Sequence, residues 1–286
     1  MRGLVPWDID RRLQIFLEED LGFDDITTQG LGNVSLKPVR AKIIAKQKGI
    51  MSGGPFAIRL FNLLDPEAKG KALVEEGDAF ETGDYVLEIE GQTRAILMGE
   101  RVALNLLQRL CGIATQTREM VDSVKDLPVK IADTRKTSPG LRIFEKYAVR
   151  CGGGVNHRLG LYDCALIKDN HISICGSVRE AIRRVRPAIP FTARIVVECE
   201  NLDQVQEALD EKADVIMLDN MNIDRIREAV QLIGGRTIVE ASGGIGPEQV
   251  REIAEQGVDI ISSGFITHHA IWLDLSLKVE EIGDVL

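Results

Sequence analysis

A chain of 286 residues, 44% hydrophobic and 28% charged, is long enough for one large barrel or a barrel with a smaller domain, and its composition excludes a disordered or low-complexity protein. Its 35 Lys plus Arg against 44 Asp plus Glu give a net charge of -9, which excludes general attraction to nucleic acid or an anionic membrane and leaves small anions to local patches. Five cysteines (Cys111, Cys151, Cys164, Cys175, Cys199), odd in number and without a CxxC pair, suit reduced structural thiols. The opening "MRGLVPWDID" is acidic where a signal peptide needs an apolar stretch, and no apolar run reaches the roughly 18 residues of a membrane span, so a cytoplasmic protein is expected.

In chain order, residues 8–19 place Ile9, Leu13, Phe16 and Leu17 on one stripe, which predicts an amphipathic helix. "VRAKIIAKQKGIMSGG" and "YVLEIEGQTRAIL" alternate apolar and polar residues between glycine turns and predict short extended runs, so residues 1 to about 110 read as an α+β domain. From Glu100 to Val124 the apolar residues recur near helical spacing around Gly112, which predicts two consecutive helices. Then "VKIAD", "CALIK", "RIVVE", "DVIML", "TIVEA" and "DIISS" alternate with helical stretches. The last four begin at Arg194, Asp214, Thr237 and Asp259, about one strand plus one helix apart, and repeated β/α units of that kind build a parallel barrel.

What ends those runs carries the chemistry, because the carboxyl ends of barrel strands form the rim where active sites lie. "VKIAD" leads to Asp133, Arg135 and Lys136; "CALIK" ends in Lys168; "RIVVE" ends in Glu198; "DVIML" is followed by Asp219. Glu198 and Asp219 at matched positions of successive strands suit Mg²⁺, which binds through few carboxylates and keeps waters and phosphates; the alternative is that they are helix caps or ion-pair partners of lysines. "SGGIGPEQV" from Ser242 offers bare amides before a helix, and "SSGF" from Ser262 follows one unit later, together a two-loop phosphate cradle, although loops use glycine for many reasons. Between Asp133 and His171 stand seven basic residues (Arg135, Lys136, Arg142, Lys146, Arg150, Arg158, Lys168) and four acidic ones (Asp133, Glu145, Asp163, Asp169), a window of +3 in a chain of -9. Such a run is commonly a solvated face, but here the cations come from three elements meeting at one rim, which points to a polyanion with carboxylates and phosphates. His268 could reach a phosphate; for His269 a packed or solvent-facing role is at least as good a reading.

These residues lie in motifs that run nearly end to end: "ERVALNLLQRLCGIAT" from Glu100, "DTRKTSPGLR" from Asp133, "EKYAV" from Glu145, "GGGVNHRLGLYD" from Gly152, "LIKDNH" from Leu166, "VECE" from Val197, "LDN" from Leu218 and "EASGGI" from Glu240. In them the chain resembles the quinolinate phosphoribosyltransferase family. It departs from the family pattern at Ser138, where threonine is common, and at Ile271 and Trp272, where smaller residues are.

The resemblance implies an α/β fold of the type II phosphoribosyltransferase kind: an N-terminal α+β open sandwich over 1–110, an incomplete parallel α/β barrel over 111–270, and a C-terminal helical segment over 271–286 packing back on the first domain. It implies transfer of phosphoribosyl from phosphoribosyl pyrophosphate to quinolinate with decarboxylation, with Mg²⁺ as cofactor, in a homodimer or higher homo-oligomer with shared sites and no nucleic-acid or membrane partner. By the same matching, Arg101 from a partner subunit, Thr134, Arg135, Lys136, His157, Arg158 and Lys168 surround quinolinate. Lys136, Lys168, Glu198, Asp219, Ser242, Gly243, Gly244, Ser263, Gly264, Phe265 and His268 take phosphoribosyl pyrophosphate. Lys136, Lys168, Glu198 and Asp219 form the catalytic set, and Glu198 with Asp219 the metal site. Two other readings stay open: a related enzyme acting on nicotinate or another base, and a barrel that binds a phosphorylated metabolite without turnover.

Overall fold

The computed structural model describes residues 6–281; residues 1–5, on which the exclusion of a leader partly rests, and 282–286, the end of the expected C-terminal helix, lie outside the described residues. The chain runs α1 (Pro6–Leu21), α2 (Ile26–Gly30), β1 (Pro38–Ala45), β2 (Gly49–Ile50), α3 (Gly54–Leu64), β3 (Lys69–Ala72), β4 (Ala79–Phe80), β5 (Tyr85–Gln92) and α4 (Thr93–Asp122). It continues with β6 (Lys130–Ala132), α5 (Arg142–Cys151), β7 (Ala165–Ile167), α6 (Asp169–Cys175), α7 (Val178–Val185), β8 (Ile195–Cys199) and α8 (Leu202–Asp210). Last come β9 (Val215–Asp219), α9 (Ile223–Ile233), β10 (Ile238–Ser242), α10 (Pro247–Ala254), β11 (Ile260–Ser262), α11 (Phe265–His268) and β12 (Leu275–Glu281). Two compact units emerge: one holds the chain up to Gln116, Ile143–Gly152 and the chain from Ala270 onward, and the other holds Thr117–Arg142 and Gly153–His269.

The first unit is built on an antiparallel sheet of order β12-β1-β5-β3. Val39, Ala41, Ile43 and Ala45 of β1 alternate inward, as a strand with one covered face requires. Three expectations need correction. The segment from Leu275 is a strand, not a helix: Leu275, Leu277 and Val279 alternate with Ser276, Lys278 and Glu280, a period of two, and the strand pairs with β1 from Ala45↔Leu275 to Val39↔Glu281. The stretch "TRAIL" opens α4 instead of extending β5. And α4 is one helix, not two, because Gly112 does not break it. A Cβ at Gly112 would stand 2.0 Å from the Ile271 carbonyl oxygen, so glycine serves there to admit another backbone. The unit also takes in α5, whose residues the sequence reading put in the barrel. Phe144 meets the rings of Phe16 and Phe56 at centroid distances of 5.7 and 4.9 Å, and buried Glu145 accepts from Arg109 Nε at 3.0 Å.

The second unit carries all six expected β/α strands in one parallel sheet of order β6-β11-β10-β9-β8-β7. Among the described residues β6 and β7 do not pair with each other, so the ring stays incomplete. Register puts Val196 opposite Val215 and Val215 opposite Ile238, and puts Glu198 and Glu240 opposite Met217 from either side. Val196, Val215 and Met217 form a buried cluster joined by Leu166, Cys164 and Ile238. That face is the floor beneath the strand ends.

Candidate active site

Above this floor lies a cavity of about 420 Å³, lined from every side of the rim. From the loop after β6 come Thr134, Arg135 and Lys136; from the loop before β7 come His157 and Arg158; β7 supplies Leu166, with Lys168 just after it. β8 supplies Glu198, β9 supplies Met217 and Asp219 with Asn220 after it, β10 supplies Ser242 with Gly243 and Gly244, and β11 supplies Ser262 with Gly264.

The loop after β6 folds on its own polar groups: Thr134 Oγ1 accepts from the Lys136 N–H at 3.0 Å, and the Lys136 carbonyl accepts from Thr267 Oγ1 at 2.8 Å. Asp133, fully buried, accepts from the His157 N–H at 2.9 Å and from Asn156 Nδ2 at 2.6 Å, which ties the two cationic loops together. Arg158 donates from Nη1 to the Cys164 carbonyl at 3.2 Å. Burial, and after it the nearby Arg135 guanidinium, pulls the Arg158 pKa below the ordinary arginine value. Arg142 does not line the cavity; it donates to Thr137 Oγ1 at 3.0 Å and to the Leu159 carbonyl at 3.2 Å, bracing the loops.

Glu198 and Asp219 are not helix caps. The caps of α8 and α9 are Asn201 and Asn222. Glu198 is an ion-pair partner of a barrel lysine, with Lys168 Nζ 2.5 Å from its Oε2, while Asp219 Oδ2 accepts from Asn220 Nδ2 at 2.6 Å. As donors, two hard carboxylates at adjacent strand ends suit a magnesium ion, which binds through few protein carboxylates. No group of three or more His, Cys, Asp or Glu among the described residues could hold a metal unaided.

In the glycine loop after β10, Gly243 has φ +103° and its absent Cβ would stand 2.7 Å from the Asn220 backbone N, so no other residue lets the two loops approach. In the second loop the cavity meets Ser262 and Gly264 instead of Ser263 and Phe265. The Ser263 hydroxyl donates to the Ile245 carbonyl at 2.6 Å and accepts from the Phe265 N–H at 3.1 Å, so both groups are used within the protein, and the Phe265 ring stacks on His269. His268 is exposed, its Nε2 and the Lys136 side chain flanking Gly264. Arg101 is exposed on α4 in the first unit and is not a lining residue. Ser262 belongs to the SSGF loop that the sequence reading put in the cradle, although the residues singled out there were Ser263, Gly264 and Phe265; Asn220, Met217 and Leu166 are lining residues that sequence reasoning does not single out. The signal for Asn220 was the "LDN" motif at a strand end, since asparagine is favoured where φ is positive, here +53°.

Comparison with known proteins agrees with this geometry. The family model for the quinolinate phosphoribosyl transferase N-terminal domain matches residues 25–111 and that for the C-terminal domain matches 113–278. The chain belongs to the quinolinate phosphoribosyl transferase family. It is 44% identical over 283 residues to a probable nicotinate-nucleotide pyrophosphorylase (carboxylating) of Synechocystis, covering 98% of this chain and 95% of that one. It is 38% identical over 293 residues to a mitochondrial quinolinate phosphoribosyltransferase (decarboxylating) of Nicotiana tabacum, covering 96% and 83%. The crystal structure of NadC from Streptococcus pyogenes superposes with a TM-score of 0.93 at 41% identity, covering 99% of this chain and all of that one. As in that family, the fold joins an antiparallel N-terminal sheet to a six-strand parallel one, and no helix of the described residues is long and apolar enough to cross a membrane.

Proposed function

We propose that the chain transfers phosphoribosyl from phosphoribosyl pyrophosphate to the ring nitrogen of quinolinate and releases pyrophosphate and CO₂, leaving nicotinate mononucleotide. The observation that carries this reading is the convergence of Arg135, Lys136, Arg158 and Lys168 on one cavity that also presents Glu198, Asp219 and a glycine loop. Quinolinate is a dianion and its co-substrate carries several further negative charges, so the two repel unless cations stand around and between them. Arg135 and Arg158 are suited to fork onto the carboxylates, and Lys136 and Lys168 to answer diffuse charge between the substrates. The C1–O bond to pyrophosphate breaks as the pyridine nitrogen forms the new C–N bond. The resulting pyridinium accepts the electron pair left when the adjacent carboxylate departs as CO₂, and that carbon then takes a proton. Ser242, Gly243 and Gly244 are suited to the 5-phosphate, with Ser262 and Gly264 across from them.

Glu198 and Asp219 would hold Mg²⁺, which when bound neutralises charge on the leaving pyrophosphate. The Lys168 ammonium, already on Glu198, keeps that carboxylate oriented. A homodimer in which Arg101 of one copy completes the site of the other belongs to the same reading. It is supported by the exposed apolar residues Phe23, Ile26, Leu31, Val34 and Leu36, close together in the chain and suited to cover by another copy. A cytoplasmic location fits five free thiols.

Calorimetric titration with quinolinate and with nicotinate tests the substrate. Quinolinate is expected to bind at least about tenfold more tightly, and Arg158→Lys to abolish most of that preference because an ammonium cannot fork onto a carboxylate. Tighter binding of nicotinate would favour the monoacid enzyme. Mixing Arg101→Ala with Lys136→Ala protein tests sharing: regained activity is expected, and none would remove the shared site.

A further inference from the structure

On β10, Ile238, Glu240 and Ser242 alternate onto one face. Ile238 packs with the floor cluster and Ser242 lines the cavity, so Glu240 lies between them, opposite Met217 on β9 and Ile260 on β11. The two residues that flank it in that layer, Met217 and Ile260, are apolar, and Glu198 stands beyond Met217. Glu240 is 2% exposed, its Oε2 stands 3.5 Å from His157 Nε2, and its Oε1 has no hydrogen-bond partner. A buried carboxylate with one oxygen unpartnered and the other 3.5 Å from an imidazole nitrogen weakens a fold, and a methionine or isoleucine would fill the place better. Packing therefore gives no reason for Glu240, whereas the cavity does.

His157 lines that cavity and is held from other directions as well. Its N–H donates to Asp133 Oδ1 at 2.9 Å, and its Nδ1 accepts from the Arg158 N–H at 2.7 Å. With Nδ1 accepting, the ring proton sits on Nε2 and points toward Glu240. Turning the ring would break the bond from the Arg158 N–H and disturb a residue that lines the cavity.

We infer that Glu240 is a positioning residue of the diacid pocket: from beneath the cavity its carboxylate fixes the His157 ring, and through the ring the backbone that delivers Arg158. The inference rests on reading that cavity as the quinolinate site. It assigns a role to a side chain that does not itself line the cavity.

The test uses Glu240→Met, which restores an apolar layer, and Glu240→Gln, which keeps an acceptor without the charge. Glu240→Met is expected to hold or raise Tm while the quinolinate KM rises about tenfold, more than the KM for phosphoribosyl pyrophosphate and more than kcat falls; Glu240→Gln should lie between it and the parent. Nitrogen-15 spectra of the four histidines, with His157→Gln to assign the signal, should show a single Nε2-protonated tautomer for His157 and a mixture in Glu240→Met. An unchanged quinolinate KM would overturn the inference. So would a fall in Tm with both KM values and kcat moving together, or a His157 protonated on Nδ1 in the parent protein. If the parent fails to turn over quinolinate, the proposed function fails, and the histidine spectra still decide the positioning role.

Discussion

Gly243 and Gly244 make a controlled pair, since both have positive φ, +103° and +60°, yet only the first is crowded. An alanine Cβ at Gly244 meets nothing within 4 Å, so that substitution adds only left-handed backbone strain, about 1 kcal/mol. At Gly243 the same atom would stand 2.3 Å from Asn220 Oδ1 and 2.7 Å from its backbone N. That N–H is already pinned to the Ser242 carbonyl at 3.0 Å, so the asparagine side chain must give way and release the 2.6 Å bond from Nδ2 to Asp219. Strain of about 1–3 kcal/mol plus about 1 kcal/mol for the lost hydrogen bond gives about 2–4 kcal/mol. Thermal unfolding should therefore show Gly243→Ala falling by about 3–7 °C and Gly244→Ala by about 2 °C. Because Asp219 is disturbed only by the first, the KM for phosphoribosyl pyrophosphate should rise about tenfold more in Gly243→Ala. Equal changes in the two variants would refute the reasoning.

Lys168→Ala should cost less than about 1 kcal/mol in stability, because its ion pair with Glu198 is half open to solvent on the lysine side, yet at least about a hundredfold in kcat/KM; comparable modest losses in both would make it a surface lysine. Glu145→Ala should destabilise by about 3–5 kcal/mol in urea unfolding, since it removes the carboxylate that faces the buried Arg109 guanidinium, where Nη2 now sits 2.8 Å from Glu145 Oε1. Burial pushes the Cys111 thiol from 9.0 up to about 12, and Cys199 likewise to about 12. Above about pH 9 the unfolded chain releases these protons and the folded one keeps them, so stability should fall as pH rises toward 12, by up to about 1.4 kcal/mol per pH unit for each thiol. Both thiols should resist alkylation at pH 8 until the protein unfolds, as read by mass spectrometry.

The barrel strands were legible because each is a short β-rich run ending in a functional residue, and all six occur where the sequence places them. What failed depends on long-range contact. Gly112 looks like a helix break until Ile271 is seen packed on it, and Leu275 to Glu281 is too short for its period to outweigh the expectation of a terminal helix until β1 supplies a partner. In the site, charged residues at strand ends declared themselves, since a cation after an apolar run needs a reason. Ser262 and Ser263 are adjacent and chemically identical, and only the bond from Ser263 to the Ile245 carbonyl, across two loops, shows which hydroxyl is engaged. Glu240 sat within a quoted motif without a role, because its partner His157 comes from an element far away in the chain.

The most direct measurement is product formation from quinolinate, phosphoribosyl pyrophosphate and Mg²⁺, with nicotinate in a parallel reaction and Glu198→Gln as control. One CO₂ released for each nicotinate mononucleotide formed from quinolinate, little turnover of nicotinate, and loss of both products in the control is the expected result. Turnover of nicotinate in preference to quinolinate, or nucleotide formed from quinolinate without CO₂, would contradict the assignment of the cationic cavity as a diacid site.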